Sequence, residues 1–409
     1  MIFNDSRYNQ NWKIKTLSQL GDFQRGVSKH RPRNDRILFE NGHYPLVQTG
    51  EIKDATLYVD NFNAMYNDYG LQQSKLWEPG TLCITIAANI AESAILARPM
   101  CFPDSVVGFL AYPDETTPEF MYYIFEYIKQ QIQKRTIGSI QDNINIDYLT
   151  LLQFRIPDYQ NKIVGLLSGI DKKILLNNRV NATLEAMAKT LYDYWFVQFD
   201  FPDEKGRPYK TSGGKMVYNE ELGREIPAGW EVVPLPQVAS LQYGYPLSTD
   251  MFCNEGIPVI RIRDIIDNST SASTNESVHV QYLTEKGDLL VGMDGNFQMN
   301  YWTRDGEIVN QRITRIRKKE IPIMIIRFQI EPFITAKITN VARSTVGHLG
   351  DTDFKERLII VPSNLDMSVF DTVIDKIISY RNENHRLAAL RDWLLPMLMN
   401  GQVGFRREV

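Results

Sequence analysis

The stretch DYQNKIVGLLSGIDKKILLNNRVNATLEAMAKTLYDYWFVQF, from Asp158 to Phe199, decides how the rest of the chain is read. Ile163, Leu167, Ile170, Ile174, Asn177, Asn181, Leu184, Ala188, Leu191 and Trp195 follow one another at alternating steps of four and three. That rhythm keeps one seam of a helix facing a partner helix, and two Asn interrupt the seam near its middle. A polar residue there weakens packing but penalises wrong registers, because an unpaired buried amide is costly. A helix of roughly 40 residues is about 60 Å long at ~1.5 Å per residue, more than one globular domain needs. The stretch reads as a spacer.

The same pattern returns near the C-terminus, in SVFDTVIDKIISYRNENHRLAALRDWLLPMLMNGQV, through Val373, Ile377, Tyr380, Asn384, Leu387, Leu390 and Leu394. Asn384 stands where Asn181 stood, each followed three residues later by Leu (Leu184, Leu387), and Ile170-Asp171-Lys172 echoes Ile374-Asp375-Lys376. Two unrelated amphipathic helices would share a rhythm, but they would not bring matching domains with them.

Before the first helix, short apolar runs (Tyr44 to Val47, Thr81 to Ala87, Val106 to Tyr112) are punctuated by Gly and Pro, as short strands would be. Pro118 to Gln133 has helical periodicity. The second half repeats the plan. Trp230, Val232, Leu235, Val238, Leu241 and Gly244 match Trp12, Ile14, Leu17, Leu20, Phe23 and Gly26. Ile257-Pro258-Val259-Ile260 answers Tyr44-Pro45-Leu46-Val47, Gly347-His348-Leu349 answers Gly138-Ser139-Ile140, and Ile360-Val361-Pro362 answers Arg155-Ile156-Pro157. A period of roughly 210 residues is too long for a solenoid. The expected architecture is mixed α+β, in the α/β class. Domain 1 covers 1–157, a long helix 158–201, a charged, Gly- and Pro-rich linker 202–228, domain 2 229–362, a second long helix 363–400 and a tail 401–409. Two similar domains joined by an antiparallel coiled-coil pair give a pseudo-two-fold internal repeat.

A chain of 409 residues has room for two or three domains with sizeable cores. Cys83, Cys101 and Cys253 are odd in number and in no metal-ligand spacing, which suits a reducing, cytoplasmic setting. The N-terminus has no signal-peptide core and no apolar run approaches membrane-spanning length. A net charge of −4 means that any nucleic-acid binding must rest on local basic faces.

Such faces are present. Arg25, Lys29, His30, Arg31, Arg33 and Arg36 crowd one Gly-containing loop, with only Asp35 opposed. Arg261 and Arg263 sit two apart, on one face if the segment is a strand. Arg312, Arg315, Arg317, Lys318 and Lys319 cluster beside Asn310-Gln311. Arg, Asn and Gln bond bidentately to purine edges, while Lys and Ser mostly hold phosphates. The candidate DNA-binding set is therefore Arg25, Lys29, Arg31, Arg33, Gln48, Asn89, Arg135, Ser139 and Gln141 in the first half. In the second it is Tyr243, Arg261, Arg263, Asn296, Gln311, Arg312, Arg343, Ser344 and His348. Solvated surface charge is the plainer reading of any one of them; as sets they lean towards DNA. Two domains at a set separation suit a duplex whose half-sites face one way about a helical turn apart.

With these residues in view, the chain resembles the DNA-specificity subunits of type I restriction–modification systems over essentially its whole length. The most specific stretches are Leu191-Tyr192-Asp193-Tyr194-Trp195-Phe196-Val197-Gln198-Phe199 with Ser212-Gly213-Gly214-Lys215-Met216, then Glu225-Ile226-Pro227-Ala228-Gly229-Trp230 and Leu390-Arg391-Asp392-Trp393-Leu394-Leu395-Pro396. The resemblance implies two target-recognition domains, each reading half of a bipartite asymmetric site. It implies two modification (methyltransferase) subunits docked on the paired helices, and restriction (endonuclease) subunits joining them. S-adenosylmethionine, ATP and Mg²⁺ would then belong to the partners, with no cofactor on this chain. Tyr192, Trp195, Phe196, Trp393, Leu395 and Leu398 are the candidates for the partner-binding face.

Catalysis by the chain itself finds no motif. There is no Gly-rich methyl-donor loop, no Asn/Asp-Pro-Pro-aromatic motif, no Walker loop and no His-Glu-x-x-His. Pro157-Asp158 with Asp171-Lys172-Lys173 loosely matches the carboxylate pattern of Mg²⁺-dependent nucleases, but Asp171 is expected on the outer side of a rod, away from any pocket. An interaction scaffold without a DNA role would explain the rods and the repeat but not the basic loops.

Overall fold

The computed structural model describes residues 2–87, 91–137, 150–295, 297–341 and 347–405, and only the backbone within 130–137 and 339–341. The chain forms two compact units, one of Met1–Leu175 with His385–Val409 and one of Leu176–Asn384, so the boundary falls inside both long helices.

In the first unit five strands form one sheet: β1 (Gly21–Arg25), β2 (Tyr58–Val59), β3 (Leu82–Thr85), β4 (Ser93–Leu96) and β5 (Val106–Ala111), in the order β1-β5-β3-β4-β2. β3 and β4 are buried on both faces, and the period of two divides their side chains. Leu82, Ile84, Val107 and Phe109 face the cluster built by helix α1 (Pro118–Ile137), while Cys83 and Val106 face Trp77 and Phe102. Helix α2 (Gln160–Tyr192) adds Ile163 and Leu167 to the α1 side.

The second unit repeats this with β6 (Ala239–Tyr243), β7 (Leu289–Gly292), β8 (Met299–Tyr301) and β9 (Ile313–Lys318), in the order β6-β9-β7-β8. Leu289, Val291 and Ile316 face helix α3 (Ile323–Val341), and Leu290 and Ile313 face the other way. Smaller matches hold too. Tyr44–Leu46 pairs antiparallel with Ala64–Tyr66 and parallel with Met100–Cys101. Ile257–Ile260 does the same with Ser273–Thr274 and Ile308–Val309. Lys13–Thr16 closes on Gln153–Ile156 as Glu231–Pro234 closes on Leu358–Val361. The repeat legible in the sequence is a repeat of topology.

Helix α4 (Ser368–Met399) packs against α2 within each unit. In the first, Asp171 accepts from Arg391 at 2.9 Å. In the second, Asn177 Nδ2 donates to Asn384 Oδ1 and to Glu383, both at 2.8 Å, Asn384 Nδ2 donates to Asn178 Oδ1 at 2.7 Å, and Arg381 donates to Glu185 at 3.0 Å. Numbers rise on α2 as they fall on α4, so each packed half is antiparallel. Two of the interrupting amides, Asn177 and Asn384, bond to each other, as a register-setting layer requires, while Asn181 donates to the Ile377 carbonyl at 3.4 Å.

Three features differ from expectation. The first long helix stops at Tyr192, and Asp193–Val197 forms a wider π turn that ends with Phe199 at φ 63°. Phe196, Phe199 and Phe201 leave the seam there to pack around Trp230. The segment 202–228 is not an open linker: Tyr209 stacks on Phe201, and Met216–Asn219 pairs with Arg224–Pro227 as a hairpin. Helix α3 was not expected, because its opening run Ile323-Met324-Ile325-Ile326 is buried and shows no polar face.

Candidate nucleic-acid interface

Antiparallel pairing collects three loops at one end of each central sheet. In the first unit Arg25 at the end of β1 lies opposite Val107, and Thr85 at the end of β3 lies opposite Val106. The loop after β1, the turn before β5 and the residues after β3 therefore emerge together. In the second unit Tyr243 opposite Thr314, and Gly292 opposite Ile313, give the same end. Two matched glycines permit the close approach. A Cβ on Gly26 would meet the Pro103 carbonyl at 2.2 Å, and one on Gly244 would meet the Asn310 carbonyl at 2.0 Å.

In the first unit this end is basic. Arg25 Nε donates to the Asp104 carbonyl at 2.7 Å, Arg33 reaches Asp104 Oδ1 at 2.5 Å, and Arg31 lies 3.5 Å from Asp104 Oδ2. Arg31 also donates to the Ser28 and His30 carbonyls, at 2.6 and 2.8 Å. Lys29 and Arg36 are exposed. His30 is turned inward onto Asp35 at 2.9 Å, and that bond holds the Asp35 carboxyl below the usual aspartate range. Beside them a cavity of about 640 Å³ has Ser28, Arg33, Asn34, Gln48, Asn63 and Ser105 among its lining together with Phe39, Leu46, Met65 and Tyr66, and brings two of the expected residues, Arg33 and Gln48, to one recess.

The second unit is built differently. Arg312 Nε lies 3.5 Å from Asp294 Oδ2, and His348 Nδ1 lies 2.7 Å from Asp294 Oδ1. Gln311 is exposed beside them, and the Tyr243 hydroxyl donates to Asp351. Other expected members are elsewhere. The strand ends at Ile260 and Ile262–Asp264 is a 3-10 turn, so Arg261 and Arg263 do not share a strand face. Arg261 turns in to Asp264 and Ser271 over the Phe252 ring, while Arg263 is exposed. The cluster after Arg312 also dissolves, because β9 alternates its side chains inward. Arg315 is buried and donates to the Leu283 carbonyl at 2.6 Å, and Arg317 pairs with Asp288 and Glu285. Burial pulls the Arg315 pKa down, and the bond to Asp288 raises that of Arg317. Lys318 binds Asp371 and Lys319 the Pro236 carbonyl, both at 2.6 Å. Asn89, Ser139, Gln141, Asn296, Arg343 and Ser344, and the side chain of Arg135, lie outside the described residues.

The expected partner-binding set needs correction. Tyr192 and Phe196 belong to the core of the second unit, and Leu395 and Leu398 to that of the first. The helical period turns all four onto the domains instead of outward. Trp195 is half-buried against Phe370, and Trp393 alone of the six is exposed, at 56%. The apolar surface lies on other residues. In the second unit Leu184, Met187, Leu191, Tyr194, Val369 and Val373 line a groove of about 820 Å³. Met187 is 63% and Val369 41% exposed, and at the positions the repeat matches to them Leu390 is 44% and Leu166 40% exposed.

The nuclease-like pattern does not form a site. Asp171 is buried, contrary to expectation, and takes bonds from Tyr123 Oη at 2.6 Å and Arg391 at 2.9 Å. Asp158 is exposed and faces Lys13. Among the described residues no three His, Cys, Asp or Glu side chains gather as metal ligands, and no helix is long and apolar enough to cross a membrane.

Comparison with known proteins bears on this geometry. The family model described as the type I restriction modification DNA specificity domain matches twice, over residues 9–186 and 227–387. The type I restriction enzyme MjaIX specificity subunit of Methanocaldococcus jannaschii is 23% identical, over 96% of this chain and 94% of its own. The HindI specificity subunit of Haemophilus influenzae is 24% identical, over 70% of this chain and 77% of its own. In fold, the chain is similar to the crystal structure of a type I restriction–modification S subunit from M. genitalium, with a TM-score of 0.54, 16% identity and coverage of 98% and 99%.

Proposed function

Because the chain belongs to the type I restriction–modification DNA-specificity family, whose members are non-catalytic subunits, we propose that it reads a bipartite, asymmetric duplex DNA site, one half with each unit. The observation that carries this reading is the convergence of exposed donor side chains on one end of the central sheet, Arg25, Arg31 and Arg33 in the first unit and Arg312 with His348 in the second. In the first unit the readers are Arg25, Arg31, Arg33 and Gln48, with Lys29 on phosphate. In the second they are Arg312, Gln311 and His348. Arg261, Arg315 and Arg317 spend their donors inside the fold and are structural. A scaffold without DNA would have no use for two such ends.

The α2–α4 pair sets the distance between half-sites and docks two modification subunits, one at Met187 and Val369 and one at Leu390 and Leu166. A matched apolar face on each copy of the repeat supports two copies of one partner. Restriction subunits join that assembly in the cytoplasm, and the partners hold S-adenosylmethionine, ATP and Mg²⁺. Replacing 229–362 by the matching domain of a relative tests the division of labour. Mapping of methylated adenines in a host carrying the hybrid should reveal one new half-site and one retained. Loss of both halves, or change in neither, would refute it.

A further inference from the structure

The two sheet ends share a device that sequence matching does not predict. In the first unit Asp104 spends one carboxylate oxygen on Arg33 (Oδ1, 2.5 Å) and the other on Arg31 (Oδ2, 3.5 Å). In the second, Asp294 spends Oδ1 on His348 (2.7 Å) and Oδ2 on Arg312 (3.5 Å). The two acids are not counterparts in the repeat. With the first residues of β5 and β9 aligned, Asp104 falls on Gln311; with β3 and β7 aligned, Asp294 falls on Ala87. Duplication of one ancestral contact therefore does not explain the likeness.

Resting on the DNA-reading function above, we propose that Asp104 and Asp294 are positioning residues for base recognition, each holding two donor side chains of its unit in a fixed fan. An Arg side chain has five donors in a planar fork, so Arg33 and Arg312 keep N–H groups for a base edge beside their ion pair, and Arg31 keeps some beside its bonds to Asp104 and to the Ser28 and His30 carbonyls. Arg31, Arg33, Arg312 and His348 are about half exposed, so their outward donors stay available. Untethered, each long side chain would lose rotamer freedom on binding and would drift to the nearest phosphate, which carries no sequence information. The carboxylates also lie close to where phosphates would pass, so they cost affinity for any duplex. A negative charge kept at a DNA-facing site trades affinity for discrimination.

The test uses the full chain assembled with its modification subunits, with Asp104→Asn and Asp294→Asn made separately. Asn keeps the shape and removes the charge, and the Arg25 bond to the Asp104 carbonyl is main-chain and survives. Binding is measured over a salt series to three duplexes: the site mapped by methylation, that site altered in one half, and random sequence. Each variant should lose about tenfold in preference for its own half-site and none for the other, the size expected when a base-reading Arg is misplaced. Affinity for random duplex should hold or rise, with the salt slope unchanged. Arg33→Ala and Arg312→Ala are measured alongside. If they erase discrimination while the Asn variants keep it, the positioning role is wrong and the DNA reading stands. Should the Asn variants weaken all duplexes equally, the acids are structural and the proposal again fails. If neither Arg variant changes binding to any duplex, the reading itself is overturned and the proposal with it.

Discussion

The loop that follows the first strand of the central sheet differs sharply between the two units. In the first it is GVSKHRPRNDR (26–36), which carries Lys29, Arg31, Arg33 and Arg36. In the second it is GYPLSTDMFCNEG (244–256), which has no Lys or Arg and two acids, Asp250 and Glu255. Both loops begin at a glycine pressed against the turn before the last sheet strand. The second unit places its exposed donors instead on that turn (Arg312) and on the segment after α3 (His348). The duplication preserves the frame that brings three loops together and leaves free which loop carries the chemistry. On the proposed function, two such units would read unrelated half-sites while presenting the same back to their partners.

The largest effect expected from this comparison is at that shared back. Met187→Glu should remove one modification subunit and Leu390→Glu the other, because a carboxylate driven into an apolar contact is unpaired and desolvated. Native mass measurement of the assembly should find one partner bound to each single variant and none to the double variant. Two partners on both single variants would mean that the exposed faces are not the docking sites.

Much of this was legible. The seam spacing, the Asn interruptions and the paired landmarks Trp12/Trp230 and Gly26/Gly244 mark local features whose meaning survives in any fold. Where the reading failed, the missing information was tertiary. Arg315 and Arg317 look like a DNA-binding run until β9 turns them to Asp288, and Arg261 to Asp264 likewise. The roles of Asp104 and Asp294 are not visible in sequence, because Arg33 and His348, which they hold, lie 71 and 54 residues away. Most of the side chains expected to face a partner pack on their own domains, because an amphipathic pattern shows that a helix has an apolar stripe, not which neighbour covers it. Tyr192 and Leu398 face their own domains, and the shorter Met187 and Leu390 stripe faces out.

A smaller effect separates the two seams. Asp171 is 2% exposed and, among the described residues, keeps the bond from Tyr123 if Arg391 is removed, so Arg391→Ala strands a buried carboxylate. The expected cost is about 2–4 kcal/mol, below the full value for a buried pair because Arg391 itself is partly solvated. Arg381→Ala in the second unit should cost less, about 1–2 kcal/mol, since Glu185 is 34% exposed and regains water, and Asn300 Oδ1, which loses its bond from Arg381, keeps the one from the Tyr301 N–H. Amide hydrogen exchange reads each unit separately. Protection should fall most in 160–175 for the first variant and only slightly in 176–192 for the second. Equal losses would show that burial of the acid does not set the difference.

The smallest effect lies on the helices α1 and α3, which cover matching faces of the two sheets. With the prolines that open them aligned (Pro118, Pro322), Glu126 in the first unit falls on Ile330 in the second, and Ile330 is 2% exposed. Glu126 accepts from Ser93 Oγ at 3.1 Å, lies 3.9 Å from Lys129 and is near Glu92 and Arg391. Burial nevertheless holds its carboxyl above the usual glutamate range. The folded state therefore binds this proton more tightly than the unfolded chain. Stability from the group is fully present below the ordinary glutamate pKa of about 4.3 and is lost as pH rises through the folded value. Glu126→Gln removes that titration while keeping the shape and the bond from Ser93. Its melting temperature should match the parent in acid, near pH 4, and exceed it at neutral pH, with the gap opening between the ordinary and the raised pKa. Ile330→Glu in the second unit should do the reverse, with a deficit that shrinks in acid. A Glu126→Gln difference that is flat across pH would mean that Lys129 fully offsets the burial, and that the polar face of α1 costs the first unit nothing.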